Sequence, residues 1–172
     1  MNRVYLGLGS NIDAATNLPN AVRELQAYGR IVAVSQVWET KPVGCPGKQA
    51  NFLNAAVLLE TRLSADAMRL DAIEAIETKL GRRRDPANRN AARTIDIDVA
   101  LFNDEILQIE HRPVPDPAIL ERAYLAIPLA ELDPNYRHPK TGQTLAEIAA
   151  SFDPQTEGVQ PYPLVTLEPL LL

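Results

Sequence analysis

Residues 94–102, Thr-Ile-Asp-Ile-Asp-Val-Ala-Leu-Phe, constrain the fold more than any other stretch of the chain. Alternation places Ile95, Ile97, Val99 and Leu101 on one face and Asp96 and Asp98 on the other, the period of a half-buried strand. The apolar face has to be covered by another layer. The two aspartates need water, a cation or a basic partner.

The elements before this strand complete a pattern. Residues 4–10 read as a short buried strand ending in Gly9-Ser10-Asn11, and residues 18–28 as an amphipathic helix with Val22 and Leu25 on its apolar side. Alternation from Ile31 through Val32, Val34, Val37 and Trp38 to Glu39 predicts a second strand. A loop with Pro42, Gly44, Pro46 and Gly47 leads to a third at residues 52–60. Ser64 is placed to cap a helix running to Leu80, with Met68, Ala72, Ile76 and Leu80 at four-residue spacing and Gly81 as its stop. The order βαββαβ predicts an α+β fold, a ferredoxin-like sandwich of an antiparallel sheet with helices packed on it. Residues 113–117 read as extended, 118–132 as helical with a break near Pro128, and 144–151 as a last short helix, elements expected to cover an edge or end of the sheet. The catalytic unit is expected over residues 1–152, and 153–172 form an extension of unknown path.

Composition narrows the function. A chain of 172 residues with 46% hydrophobic content supports one core without disulfides, and Cys45 is its only cysteine. No apolar run approaches the roughly 20 residues of a bilayer span, and the N-terminus lacks a signal-peptide layout, so a cytoplasmic protein is expected. The net charge of −5 disfavours polyanions generally. Residues 81–93 break that background with five arginines, Arg82, Arg83, Arg84, Arg89 and Arg93, against the single acid Asp85. A phosphate-rich ligand belongs there.

Asp96 and Asp98 project the same way from one strand, their side chains roughly 7 Å apart. Taken alone, such a pair is more often a solvated polar face. The arginines beside it change the reading. Magnesium is commonly held by one or two carboxylates plus substrate phosphates, and phosphoryl transfer depends on positioning and charge neutralisation by arginines and metal. An ATP-dependent transfer to a small hydroxyl compound follows as the expectation. No phosphate-binding glycine loop or dinucleotide fingerprint is present, and His111 and His138 form no zinc pattern. A nucleic-acid-binding module is the competing class, but RNA-reading sheets display clustered aromatics where this strand displays two carboxylates.

Gly9-Ser10-Asn11, Glu39-Thr40-Lys41-Pro42-Val43-Gly44, Asn51-Phe52-Leu53-Asn54, Leu80-Gly81-Arg82-Arg83-Arg84 and Arg93-Thr94-Ile95-Asp96-Ile97-Asp98 together resemble the 6-hydroxymethyl-7,8-dihydropterin pyrophosphokinases over about residues 3–150. The resemblance implies the ferredoxin-like sandwich and transfer of pyrophosphate from ATP to the pterin's hydroxymethyl oxygen, with AMP leaving, in folate synthesis. It implies two Mg2+ ions on Asp96 and Asp98, and Arg82 and Arg93 on the phosphates as catalytic residues. Glu77, Arg84 and Arg122 fall near the nucleotide; Glu77 alone would pass for a solvated helical acid. Phe52 and Tyr124 would sandwich the pterin, and Thr40, Asn54 and the backbone at Val43 and Gly44 would hold its polar edge. A catalytically degenerate relative is the alternative within the family. Four positions depart from the family pattern: Asn90-Ala91 replaces a common tryptophan-glycine, Asp116 a histidine, and Lys41 a small residue or proline. The expected partners are pterin and ATP, without nucleic acid or membrane, for a monomer or at most a weak dimer.

Overall fold

The computed structural model describes residues 1–42 and 48–168. Strand β1 (Asn2–Ser10) leads into helix α1 (Ala14–Leu25), followed by strands β2 (Arg30–Val34), β3 (Trp38–Thr40) and β4 (Phe52–Thr61). A continuous helical stretch follows as α2 (Ala65–Ala67), a π-helical turn (Met68–Ile73) and α3 (Glu74–Lys79), then strand β5 (Asp96–Phe102). Strands β6 (Leu107–Ile109) and β7 (Arg112–Val114) form a small hairpin. Helices α4 (Ala118–Glu121), α5 (Ala123–Leu132), α6 (Leu145–Ala150) and α7 (Pro154–Glu157) and strand β8 (Val159–Pro161) complete the chain.

The main sheet runs β5-β1-β4-β3-β8, with β2 also on β4, and every pairing is antiparallel. One face carries Val4, Leu6 and Leu8 from β1, Val57 and Leu59 from β4, and Ile97 and Val99 from β5. It packs on Leu18, Val22 and Leu25 of α1 and on Met68, Ile73 and Ile76. The other face carries Tyr5, Ala56, Leu58 and Leu101 under Ile119, Leu125, Leu129, Leu145 and Ile148. Helices α4 to α6 therefore form a full third layer, where the sequence predicted cover for an edge or end. The reason lies in β4, which is apolar on both faces and leaves neither for solvent.

Local departures from the predicted elements have identifiable causes. The helix expected at 18–28 begins earlier, at Ala14, because Pro19 in its second turn forfeits only one hydrogen bond. The strand expected over 31–39 is interrupted after Val34. Ser35 donates its N–H to the Ala56 carbonyl at 2.9 Å while its Oγ accepts from the Ala56 N–H at 2.8 Å. That hydroxyl stands in for a backbone carbonyl, and the register on β4 slips by one before Trp38 pairs with Asn54. In β5 the alternation holds to Val99, but a bulge between the Tyr5 and Leu6 pairings turns Leu101 to the second face, contrary to the simple alternation. The break predicted near Pro128 falls instead at Arg122, whose backbone is extended, and Pro128 lies inside α5.

Helix termini match their chemistry. Ser64 Oγ accepts from the Ala67 N–H at 3.1 Å, and Thr144 and Glu147 form a reciprocal capping box on α6. Among the described residues no helix is long and apolar enough to cross a membrane.

Candidate active site

Neighbouring strands bring short and long side chains into register on the second face. Gly9 pairs with Asp96 on one side and Asn54 on the other, and Gly7 pairs with Asp98 and Ala56. The two glycines leave a hollow between a carboxylate strand and an amide-bearing strand. A Cβ on Gly7 would lie 2.7 Å from Leu125 Cδ1, and one on Gly9 would lie 3.5 Å from Asn54 Oδ1. The hollow is the floor of a cavity of about 460 Å3, a size typical of small-molecule sites, which span about 300–1,000 Å3.

Of the residues singled out in the sequence, Thr40, Phe52, Asn54, Arg93, Asp96, Asp98, Arg122 and Tyr124 line this cavity together, as do the departures Lys41, Asn90 and Asp116. Val43 and Gly44 lie outside the described residues. Arg82, Arg84 and Glu77 form a layer behind the wall. Glu77 is buried, its Oε1 3.1 Å from the Ile97 N–H that donates to it and 2.8 Å from Arg82 Nη1, its Oε2 3.1 Å from Arg84 Nη2. It is a bracket for two arginines and the start of β5, where a solvated acid was the plain reading of its sequence.

The helix end explains how Arg82 gets there. Gly81 has φ 82°, Gly81 N–H donates to Thr78 O, and Arg82 N–H donates to Glu77 O, a Schellman closure that turns the chain back over its last turn. Arg82 Nη1 thereby also reaches Asp96 Oδ1 at 2.7 Å, while Arg93 Nη1 lies 3.1 Å from Asp96 Oδ2. Burial works against the Arg82 charge, but Asp96 and Glu77 outweigh it, and its pKa ends above the ordinary arginine value. Arg93 is fixed by Asn11, whose Oδ1 accepts the Arg93 N–H at 2.8 Å while the Asn11 and Ile12 N–H groups donate to the Arg93 carbonyl. The Arg93 guanidinium carbon also lies 5.9 Å from the Phe52 ring centroid, within cation–π range.

Asp98 pairs with Arg112 Nη1 at 2.7 Å. It keeps 36% of its side chain exposed, at the cavity wall, yet loss of hydration and then the neighbouring Asp96 push its carboxyl up to about 7. A carboxylate held so unfavourably as an anion is suited to a cation. Among the described residues no group of three or more His, Cys, Asp or Glu side chains could hold a metal. Magnesium is commonly held by one or two carboxylates, with water and phosphate completing its shell.

On the opposite wall Asn54 Nδ2 donates to Thr40 Oγ1 at 2.9 Å and to the Trp38 carbonyl at 3.2 Å. Both amide hydrogens are thus used within the sheet, and Oδ1, beside Gly9, is the group that faces the hollow. The sequence expectation of both a donor and an acceptor for ligand narrows to an acceptor.

Sequence reasoning missed Gly7 and Gly9 as a floor, although a Gly-x-Gly on a strand puts two gaps on one face and was legible as such. It also missed Asn11 as the clamp on Arg93, Arg112 as the partner of Asp98, and Glu157 and Val159 as part of the wall. No local signal links the last three to this site, since their contacts arise only from the fold.

The chain is similar to known proteins over most of its length. Residues 5–134 match the family model described as 7,8-dihydro-6-hydroxymethylpterin-pyrophosphokinase (HPPK). A 2-amino-4-hydroxy-6-hydroxymethyldihydropteridine pyrophosphokinase of Bacillus subtilis (strain 168) is 38% identical over 162 residues, covering 92% of this chain and 89% of the relative. One of Methylorubrum extorquens is 40% identical over 157 residues, 90% of this chain and 96% of the relative. The crystal structure of Plasmodium falciparum HPPK-DHPS with pteroate superposes with a TM-score of 0.70 at 15% identity. That likeness concerns the fold alone and covers 87% of this chain and 44% of the longer one. The chain belongs to the 7,8-dihydro-6-hydroxymethylpterin-pyrophosphokinase family.

Proposed function

We propose that the hollow over Gly7 and Gly9 is where this pyrophosphokinase of folate biosynthesis carries a diphosphate from ATP to the hydroxymethyl group of 6-hydroxymethyl-7,8-dihydropterin. The O–Pβ bond to the pterin forms, the bond from Pβ to the oxygen bridging to the α-phosphorus breaks, AMP leaves, and the hydroxyl proton is released. The observation that carries the reading is the opposition of Asp96 and Asp98, with three arginines on them, to the Thr40–Asn54 pair across a glycine floor.

Asp96 and Asp98 are the residues that would hold two Mg2+ ions. Bound there, the metal would neutralise phosphate charge and lower the pKa of the attacking hydroxyl. Arg82 and Arg93 exchange part of their pairing with Asp96 for phosphate oxygens, which guanidinium groups bind bidentately. Glu77 positions Arg82 and Arg84, and Arg122 stands at the nucleotide side of the cavity. Phe52 and Tyr124 supply flat apolar walls for the pterin, and Thr40, Asn54 and the backbone at Val43 and Gly44 its polar contacts.

The ferredoxin-like assignment draws support from the order β5-β1-β4-β3, which reads fourth, first, third, second once β2 and β3 are taken as one interrupted strand. The catalytic domain is taken to span residues 1–152, with the stretch after it adding Glu157 and Val159 to the cavity wall, in a cytoplasmic monomer or at most a weak dimer without nucleic-acid partners.

The test is AMP formation from ATP, Mg2+ and the pterin. The parent is expected to form AMP only when pterin is present. Asp96→Ala/Asp98→Ala is expected to lose at least about 10²–10³-fold, the scale for removing a group that stabilises transition-state charge. Pterin-dependent AMP from the double variant at the parental rate would sink the assignment.

A further inference from the structure

The stretch after Phe152 plays no part in the chemistry above, yet it is built into the wall of the same cavity. Asp153 caps α7, its Oδ1 accepting from the Gln155 N–H and its Oδ2 from the Thr156 hydroxyl. Gly158, at φ 68°, ends that turn in the left-handed region and reverses the chain. Strand β8 then lies antiparallel on β3 with Thr40 opposite Val159, Glu39 opposite Gln160 and Trp38 opposite Pro161. Gln160 Nε2 donates to Glu39 Oε1 at 2.8 Å and the Tyr162 N–H to the Val37 carbonyl at 2.8 Å. That last bond makes 37 and 162 a hydrogen-bonded pair. By alternation Gln160 and Glu39 form the next one, and Pro161, lying between, forfeits no ladder bond. Val159 is 5% exposed and lines the cavity beside Thr40.

Strand β3 needs this support. It is three residues long, pairs with β4 over those three residues, and follows the one-residue slip at Ser35. Without β8 it would be a short edge strand, the kind of element that frays or shifts register, and a one-residue slip would turn Thr40 to the other face. Both hydrogen-bond acceptors of the Asn54 amide, Thr40 Oγ1 and the Trp38 carbonyl, lie on β3. If β3 moves, Asn54 loses both and its amide is free to rotate.

We propose that the C-terminal strand is a positioning element for the pterin half of the site: β8 holds β3 in the register that sets the Thr40–Asn54 hydrogen bond, and Val159 closes the wall beside it. The inference rests on the assignment of Thr40 and Asn54 to the pterin.

Steady-state kinetics on the full chain test it. Gln160→Pro removes an N–H from a ladder pair and leaves every cavity-lining side chain in place. It is expected to raise KM for the pterin about tenfold, the equivalent of one good hydrogen bond, with KM for ATP within about twofold of the parent. Val159→Ala is expected to act in the same direction, and Leu164→Ala, on an 83% exposed tail residue, to change neither constant. A folded Gln160→Pro with parental pterin KM overturns the proposal, as does a parallel rise in both KM values that tracks a lowered Tm. Should Gln160→Pro fail to fold, Val159→Ala decides by the same criteria. Asn54→Ala keeps the two questions apart. If it leaves pterin KM unchanged, the assignment of the subsite has failed; if it raises pterin KM and the β8 variants do not, the positioning role has failed.

Discussion

Asp98 shows how a single residue trades stability for function. Its carboxyl is pushed up to about 7 by loss of hydration and by Asp96, while in the unfolded chain it titrates near its ordinary 3.8. The folded state therefore holds the proton more tightly over the interval between those values. Stability from this group is complete below the unfolded pKa and is lost as pH rises through about 7. In chelator-treated protein, Asp98→Asn is expected to raise Tm relative to the parent by more at pH 8 than at pH 5, measured by thermal unfolding at both. An equal difference at the two pH values would show that Asp98 carries no such cost. The substitution should at the same time abolish turnover, the usual exchange at a site where a charge is kept for a ligand. Asp96 and Asp98 were legible in the sequence because alternation alone puts them on one face next to an arginine-rich loop. Glu77 was not legible in its real place. Its sequence context is an ordinary helical acid, and only the Schellman turn after Gly81 and the start of β5 bring three donors onto it.

At the scale of elements, the helical stretch Ala65–Ala67, Met68–Ile73 and Glu74–Lys79 accounts for a pattern that periodicity alone read too simply. Met68, Ala72, Ile76 and Leu80 recur every four residues. In an α-helix of 3.6 residues per turn that repeat drifts about 40° at each step. The π-helical turn, with its longer i→i+5 closure, inserts the extra residue that cancels the drift, and it widens the buried face to take in Ile73 and Glu77. It also buries Arg69, 7% exposed, whose Nε and Nη1 find no hydrogen-bond partner among the described residues. A buried donor without an acceptor costs about 1–3 kcal/mol. Arg69→Met keeps the length of the side chain and removes those donors. It is expected to raise Tm by roughly 2–4 °C per kcal/mol recovered in a chain of this size, with both KM values unchanged. A fall in Tm would show that the guanidinium has a partner of real worth. The same kind of local device, invisible to period counting, interrupts the second strand at Ser35 and turns Leu101 across β5. Predicting element type succeeded where the apolar repeat is long, and boundaries shifted wherever one side-chain hydrogen bond or one bulge outweighed it.

At the scale of the molecule, the C-terminal stretch joins the two halves of the structure. From β8, at the edge of the sheet beside the cavity, the chain passes to the first face, where Val165 and Leu167 enter the core cluster that contains Val37, with Tyr162 packed against it. The sequence offered no path for this stretch, since its four prolines and irregularly spaced apolar residues carry neither a period of two nor one of 3.6. Its position is decided by tertiary contacts, the pairing of β8 on β3 and the burial of Val165 and Leu167. That makes a test available, because an appended segment and an integral one respond differently to losing an anchor. Leu167 is 4% exposed, and truncating a buried leucine to alanine costs about 2–5 kcal/mol. Leu167→Ala is therefore expected to lower Tm by roughly 4–20 °C at about 2–4 °C per kcal/mol. Trp38, the one tryptophan of the chain, lies on β3 opposite Pro161 and reports the attachment of the tail through its fluorescence. In both the parent and Leu167→Ala the fluorescence and far-UV circular dichroism transitions should coincide, as they do when one cooperative unit unfolds. A fluorescence transition that precedes the loss of secondary structure would mean that the tail detaches first and that strand β3, with the Thr40–Asn54 pair, is held without it, by β4 and by the hydrogen bond from the Trp38 indole to Glu131.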